Sequence, residues 1–217
     1  MPGLKDLIRA YPTLSWSDYL HMIVRWRVCP LPRIASFVPG EGIVVDLGCG
    51  HGLFAQLLAR DCAARRVIGI DLDEDKIAIA QQLTFPNLRF VTGNIADTEL
   101  PQAVAISILD VLYLLPYQLQ EHLLAVCMER LQPGGLIILK ETAERPRWKL
   151  ALTLLEETLA VRILRITATT GSARFYFRSR ADWQRLLDRL GFNVETIPLD
   201  TGYYHPHVVF VARKSAV

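Results

Sequence analysis

Ile43-Val44-Val45-Asp46-Leu47-Gly48-Cys49-Gly50-His51-Gly52 is the stretch that decides how this chain folds. Residues 43–45 are a short, apolar, β-branched run of the kind that forms a buried strand. An acid ends the run, glycines follow at alternate positions, and the amphipathic segment Leu53-Phe54-Ala55-Gln56-Leu57-Leu58-Ala59 comes next. Strand, glycine turn and helix make the first half of a βαβ unit, which binds its ligand at the carboxyl end of the strand. Glycine allows the positive φ of such a turn and leaves no Cβ between backbone and ligand.

The spacing narrows the ligand. A dinucleotide fingerprint reads G-x-G-x-x-G and holds a pyrophosphate at the helix N-terminus. Here the pattern is Gly48-x-Gly50-x-Gly52, with Asp46 just ahead. A carboxylate there repels a pyrophosphate and attracts an ammonium group. Arg66-Val67-Ile68-Gly69-Ile70-Asp71 is a second strand ending in an acid. It lies where an acid accepts from a ribose diol, roughly 20 residues beyond the turn. An amino-acid end at Asp46 and a ribose at Asp71 describe S-adenosylmethionine better than NAD.

The chain resembles the class I S-adenosylmethionine-dependent methyltransferases. The residues that carry the likeness run from Val44 to Gly52, then Ile68-Gly69-Ile70-Asp71-Leu72, Val91-Thr92-Gly93-Asn94, Leu109-Asp110-Val111-Leu112 and Leu131-Gln132-Pro133-Gly134-Gly135. These blocks come in the family's order and cover roughly residues 40–145. The resemblance implies an α/β, Rossmann-like fold: a seven-stranded, mostly parallel sheet with its last strand antiparallel and helices on both faces. It also implies a cofactor site made of Asp46, Leu47, Gly48, Cys49, Gly50, His51, Gly52, Asp71, Leu72, Asn94, Ile95 and Asp110. The family usually has an aspartate where Asn94 stands. An Asn carbonyl accepts the same bond from the adenine amine without charge, and Asp97 substitutes if the loop is shifted.

Composition sets the bounds. At 217 residues a single domain is expected. Unbroken apolar runs are short, so no segment is expected to span a bilayer, and no secretory signal pattern opens the chain. Cys29, Cys49, Cys62 and Cys127 are scattered without metal-ligand spacing, which suits a reduced, cytoplasmic protein and argues against a bound metal. A net charge of +2 with no basic stripe gives no reason to invoke nucleic acid.

Four parts are expected along the chain: an N-terminal helical cap (1–40), a cofactor-binding core (41–142), an insertion (143–178), and a closing helix and hairpin (179–217). In the cap, residues 15–27 read as a helix with a polar start. Tyr19, Arg25 and Trp26 are candidates to meet ligand, unless this is an ordinary packing helix. Asp73-Glu74-Asp75 opens a helix running to about Leu83, and Pro116 is placed at the first position of a helix over 117–131. The insertion holds an apolar helix over 148–166, flanked by Trp148 and arginines. It reads as a substrate lid, a dimer contact or a membrane-interface helix, and all three point to a small or lipid-like apolar acceptor.

Methyl transfer from a sulfonium leaves the protein to align the acceptor, exclude water and take a proton where needed. If the sixth strand runs parallel to the fifth, the hairpin around Tyr203-Tyr204-His205-Pro206-His207 projects at the ligand edge. The candidate catalytic residues are therefore Asp110, Tyr113, His205 and His207, with Glu141 orienting the substrate; the alternative is a solvated hairpin tip. O-methylation is the expected reaction. A partner subunit that binds the cofactor without turnover is the rival reading. A nicotinamide oxidoreductase and a methyltransferase for RNA or protein fit the motifs less well.

Overall fold

The first strand, β1 (Gly42–Leu47), is central because its apolar residues are buried on both faces. In the computed structural model, residues 1–95, 97–142, 175–199 and 207–216 are described. β2 (Arg65–Asp71), β3 (Leu88–Thr92), β4 (Ala103–Leu109), β5 (Leu131–Thr142), β6 (Phe192–Pro198) and β7 (His207–Lys214) complete one sheet in the order β3-β2-β1-β4-β5-β7-β6. β7 runs antiparallel to both β5 and β6, and the other paired strands are parallel. The fold is the expected seven-stranded Rossmann-like sheet.

Alternation along the strands feeds two cores. Val44, Val67, Phe90, Ile138 and Val209 face one layer, with helices α1 (Leu4–Ile8), α2 (Trp16–Val28), α3 (Leu31–Ala35), α4 (Leu53–Asp61) and α5 (Glu74–Ala80) contributing. Val45, Leu47, Ile106, Leu139 and Phe210 face the other, with α6 (Tyr117–Arg130) and α7 (Arg180–Arg189). The helix starts follow local chemistry. Ser15, Asp73 and Ser179 each accept a backbone N–H at the N-cap.

Some boundaries differ from the sequence reading. Pro116 is the N-cap of α6 and not its first helical residue; its extended ψ of 148° turns the chain into the helix. α5 stops at Ala80, three residues early, because the chain tightens there into a turn. β5 begins at Leu131, and the Pro133-Gly134-Gly135 turn lies within it at a register shift against β4. β6 and β5 do point the same way, with β7 between them. Pro198 therefore ends at the same edge as Leu47. Residues 143–174 and 200–206 lie outside the described residues, so the helix expected over 148–166 and the hairpin tip with His205 are not described. No described helix is long and apolar enough to cross a membrane.

Candidate functional site

The glycine turn after β1 is built from three left-handed residues: φ is 72° at Gly48, 54° at Gly50 and 79° at Gly52. The reasons differ. A Cβ on Gly48 would sit 2.3 Å from the Val111 side chain, and one on Gly52 would sit 2.4 Å from Phe90. A Cβ on Gly50 would meet nothing nearer than Lys76 Cδ at 4.0 Å. Gly48 and Gly52 thus fit the fold's own packing, whereas Gly50 faces open space at the strand ends. Gly50→Ala is expected to cost about 1–2 kcal/mol, the left-handed penalty alone. Gly48→Ala adds a steric clash and should exceed about 3 kcal/mol; urea denaturation of both variants checks the order.

Two acids flank the turn. Asp46 is 3% exposed and accepts the Ser107 hydroxyl at 2.6 Å. Burial pushes its carboxyl up to about 7, a rise that the Ser107 bond partly offsets. Asp71, at the end of β2, accepts from the Gly50 N–H at 2.7 Å and the Asp73 N–H at 3.0 Å. The second acid therefore clamps the turn that the first acid precedes. Leu72 follows at 43% exposure. Asn94 donates to Asp97 Oδ2 at 2.6 Å just after β3, and Ile95 is buried beside it. Cys49 is inside the turn, its thiol raised well above the usual range chiefly by burial.

The N-terminal helices lie over this turn. Tyr11 donates to the His51 carbonyl at 2.7 Å, and the His51 ring contacts Asp18 on α2 at 3.1 Å. The His21 ring tilts against His51 with centroids 5.1 Å apart. Burial pulls both imidazoles below their usual value, His21 to about 4. His21, inside the helix expected over 15–27, thus packs over the turn, and so do Tyr11 and Asp18. Their partners lie 30 to 40 residues away, so no local pattern could have marked them.

A charged cluster closes the carboxyl end of β4 and β5. Asp110 has φ 58°, unusual for a residue with a Cβ. Its carboxylate is gripped by Arg25 of α2 and by Lys140 of β5, each at 2.5 Å. Burial alone would raise the Asp110 pKa, but the two cations outweigh it and hold the carboxyl below its usual range. Arg25 also donates to the Leu109 carbonyl at 3.1 Å. The neighbouring Glu141 is 2% exposed and accepts the Leu112 N–H at 3.3 Å. Burial, reinforced by Asp110, pushes its carboxyl well up and favours the protonated form. His207 is buried at the start of β7, with its Nε2 against the Val28 carbonyl. Lys140 is the member that sequence reading passed over.

Tyr113 lies on the short 3-10 turn after Asp110 and is 6% exposed. Its ring stacks nearly parallel to Phe177 at 5.1 Å and tilts against Phe175 at 5.8 Å. The segment carrying those rings is tied to α6 by buried Gln120, which donates to the Tyr176 carbonyl and accepts from Arg178. An aromatic wall therefore stands beside the Asp110 cluster.

Residues 44–135 match a family model described as a methyltransferase domain. Over 112 residues the chain is 34% identical to a probable S-adenosylmethionine-dependent methyltransferase of Mycolicibacterium smegmatis, covering 49% of this chain and 40% of that protein. It is also 34% identical over 119 residues to the ribosomal protein L11 methyltransferase of Burkholderia ambifaria, covering 55% and 38%. The chain thus spans about two fifths of the length of these curated relatives. The crystal structure of magnesium protoporphyrin IX methyltransferase from Synechocystis PCC 6803 with bound SAH is alike in fold. Its TM-score is 0.66 at 22% identity, with 97% of this chain and 94% of that chain covered. Acid-ended strands, a turn clamped by Asp71 and the matched region agree: residues 44–135 are those of a methyltransferase domain, and over this region the chain is similar to S-adenosylmethionine-dependent methyltransferases.

Proposed function

We propose that this protein moves a methyl group from S-adenosylmethionine to a small or lipid-like apolar acceptor, at oxygen. The observation that carries the reading is the turn itself, with open space at Gly50 between a buried acid and an acid that ends the next strand. That setting fits a ligand with an ammonium at one end and a ribose further on. Leu47 to Gly52 would line the amino-acid half, with Asp46 supplying negative charge from beneath the turn. Asp71 would accept from the ribose hydroxyls; Leu72, Asn94 and Ile95 would border the adenine. The sulfonium supplies the electrophilic methyl group.

The protein's part is then alignment and proton handling at the β4–β5 edge. Asp110, held by Arg25 and Lys140, is too well stabilised as an anion to serve as a base, and its proposed role is to fix the edge and face the amino-acid end. Tyr113 and its ring neighbours would shape an apolar acceptor wall. A hydroxyl acceptor must lose a proton, and Glu141 and His207 are buried acid–base groups at that edge; His205, the other histidine expected from sequence, lies outside the described residues. The name of the ribosomal protein relative does not decide the acceptor, because only about half of this chain aligns with it. The lipid-like option draws support from α2, whose Trp16, Leu20 and Val24 form an exposed stripe at 76%, 49% and 49%.

The test is calorimetric titration with S-adenosylmethionine and its demethylated product, followed by turnover assays on phenols and on hydroxylated lipids in vesicles. Binding of both adenosyl compounds with turnover on either acceptor class supports the reading. Binding without turnover on any acceptor favours a cofactor-binding partner subunit, and no binding removes both. The same titration has a pH signature. Below about 7 the apo Asp46 carboxyl takes up a proton, so affinity for the ammonium should fall, by up to about tenfold per pH unit. Above about 8 the ligand's own amine deprotonates and affinity should fall again. Asp46→Asn should flatten the acid limb, and an unchanged acid limb would remove Asp46 from the ammonium site.

A further inference from the structure

Among the described residues, one face of the parallel β2–β3 pair carries no helix. Parallel strands are normally covered on both sides, because each crossover carries a helix. The crossover 93–102 between β3 and β4 has no helix among its described residues, and α6 and α7 pack over β5, β6 and β7. The result is a groove of about 410 Å³ on the outer face of β2 and β3. Its floor is aliphatic: Ile68 and Val91 are half-buried and Ile70 and Leu100 buried, with Arg89 and Arg130 at the rim. Ile70 pairs with Val91 across the strands, and Ile68 pairs with Arg89. β3 is also the edge strand of the sheet.

Arginine predominates among the charges on this face. Arg66, two residues ahead of Ile68 and so on the same face of β2, is exposed, as is Arg89. The carboxylate in the lining is Glu99, which is 86% exposed and reaches Arg130 only at 3.9 Å. The floor side chains of β2 and β3 point away from the layer that carries Tyr11, α2 and α4.

The geometry points to a docking site for an acidic amphipathic helix of a partner protein. No described helix covers this pair, and one seated here would cover half-buried Ile68 and Val91. The aliphatic floor accepts leucine-type side chains, and the arginines select carboxylates on the helix flanks. A second copy of the chain would bring the same arginines against these, which opposes self-association. RNA would find the charge but no aromatic side chain on the floor to stack its bases.

The test uses the full chain and a lactam-stapled helical peptide of about 15 residues, with leucines along one face and glutamates beside them. A peptide with lysines for the glutamates and a single-stranded RNA oligonucleotide serve as comparisons. Fluorescence anisotropy should show the glutamate peptide binding in the micromolar range and weakening as salt rises. Arg89→Glu and Val91→Asp should each weaken it by about tenfold or more while leaving S-adenosylmethionine binding unchanged. Absence of binding at about 100 µM peptide, equal binding of the lysine peptide, or indifference to Arg89→Glu would overturn the proposal. A dimer in sedimentation that Val91→Asp dissolves, or RNA binding that displaces the peptide, would assign the face to another occupant and overturn it too.

Discussion

Replacing Asp71 with alanine should weaken S-adenosylmethionine binding by on the order of 100-fold or more, since hydrogen bonds to a charged acceptor are each worth about 1.5–3 kcal/mol. The structure makes this the sharpest test of the cofactor site, because Asp71 has two separable jobs. It already accepts backbone N–H groups from Gly50 and Asp73, so it holds the turn before any ligand arrives. Each carboxylate oxygen has two acceptor positions, which leaves capacity for a ribose diol. Asp71→Ala removes both functions; Asp71→Asn keeps the side chain's size and one acceptor while giving up the charge. Affinity measured by calorimetry and stability measured by urea denaturation should therefore fall together in the alanine variant. In the asparagine variant, affinity should fall more than stability does. If Asp71→Ala loses stability and keeps its affinity, the carboxylate only shapes the turn and the ribose assignment is wrong.

What could be read from sequence was what the chain writes locally. A β-branched run, an acid and spaced glycines lie within ten residues, so β1, its turn and α4 follow from side-chain size and backbone freedom alone. Ser15 and Ser179 announced their helices for the same reason. The charged edge was not legible. Arg25 and Asp110 were each singled out, but they are 85 residues apart, and Asp110 lies 30 residues from Lys140. Nothing in either neighbourhood encodes the pairing; it arises when the sheet order places β5 beside β4 and α2 across their ends. Ser107 was equally silent, since a lone hydroxyl inside an apolar strand gains meaning only when β1 pairs with β4 and brings Asp46 opposite it. That no described helix covers the outer face of β2–β3 shows up only after the helices have been assigned to their layers.

Lys140→Met should be the most damaging substitution to stability at this edge. Lys140 and Asp110 are 3% and 12% exposed at their side chains, so the lysine cannot be removed without leaving a desolvated anion. Breaking such a pair from one side costs about 3–5 kcal/mol. Arg25 remains at Asp110, which places the loss near the lower figure, about 3 kcal/mol, or a fall of roughly 6–12 °C in Tm for a chain of this size. The pH dependence follows from the direction of the Asp110 shift. Its folded pKa is depressed, so the pair contributes stability above the ordinary carboxylate value, and that contribution is lost as pH falls below it. Wild type should therefore lose stability through the acid range more steeply than Lys140→Met, and the two curves should converge at low pH. The double variant Lys140→Met/Asp110→Asn discriminates further, because it removes both buried charges. It should be more stable than the sum of the two single losses predicts, by about 0.5–3 kcal/mol. Additive losses would mean that Lys140 acts through packing of its aliphatic stem and that Asp110 is held at this edge by Arg25 alone.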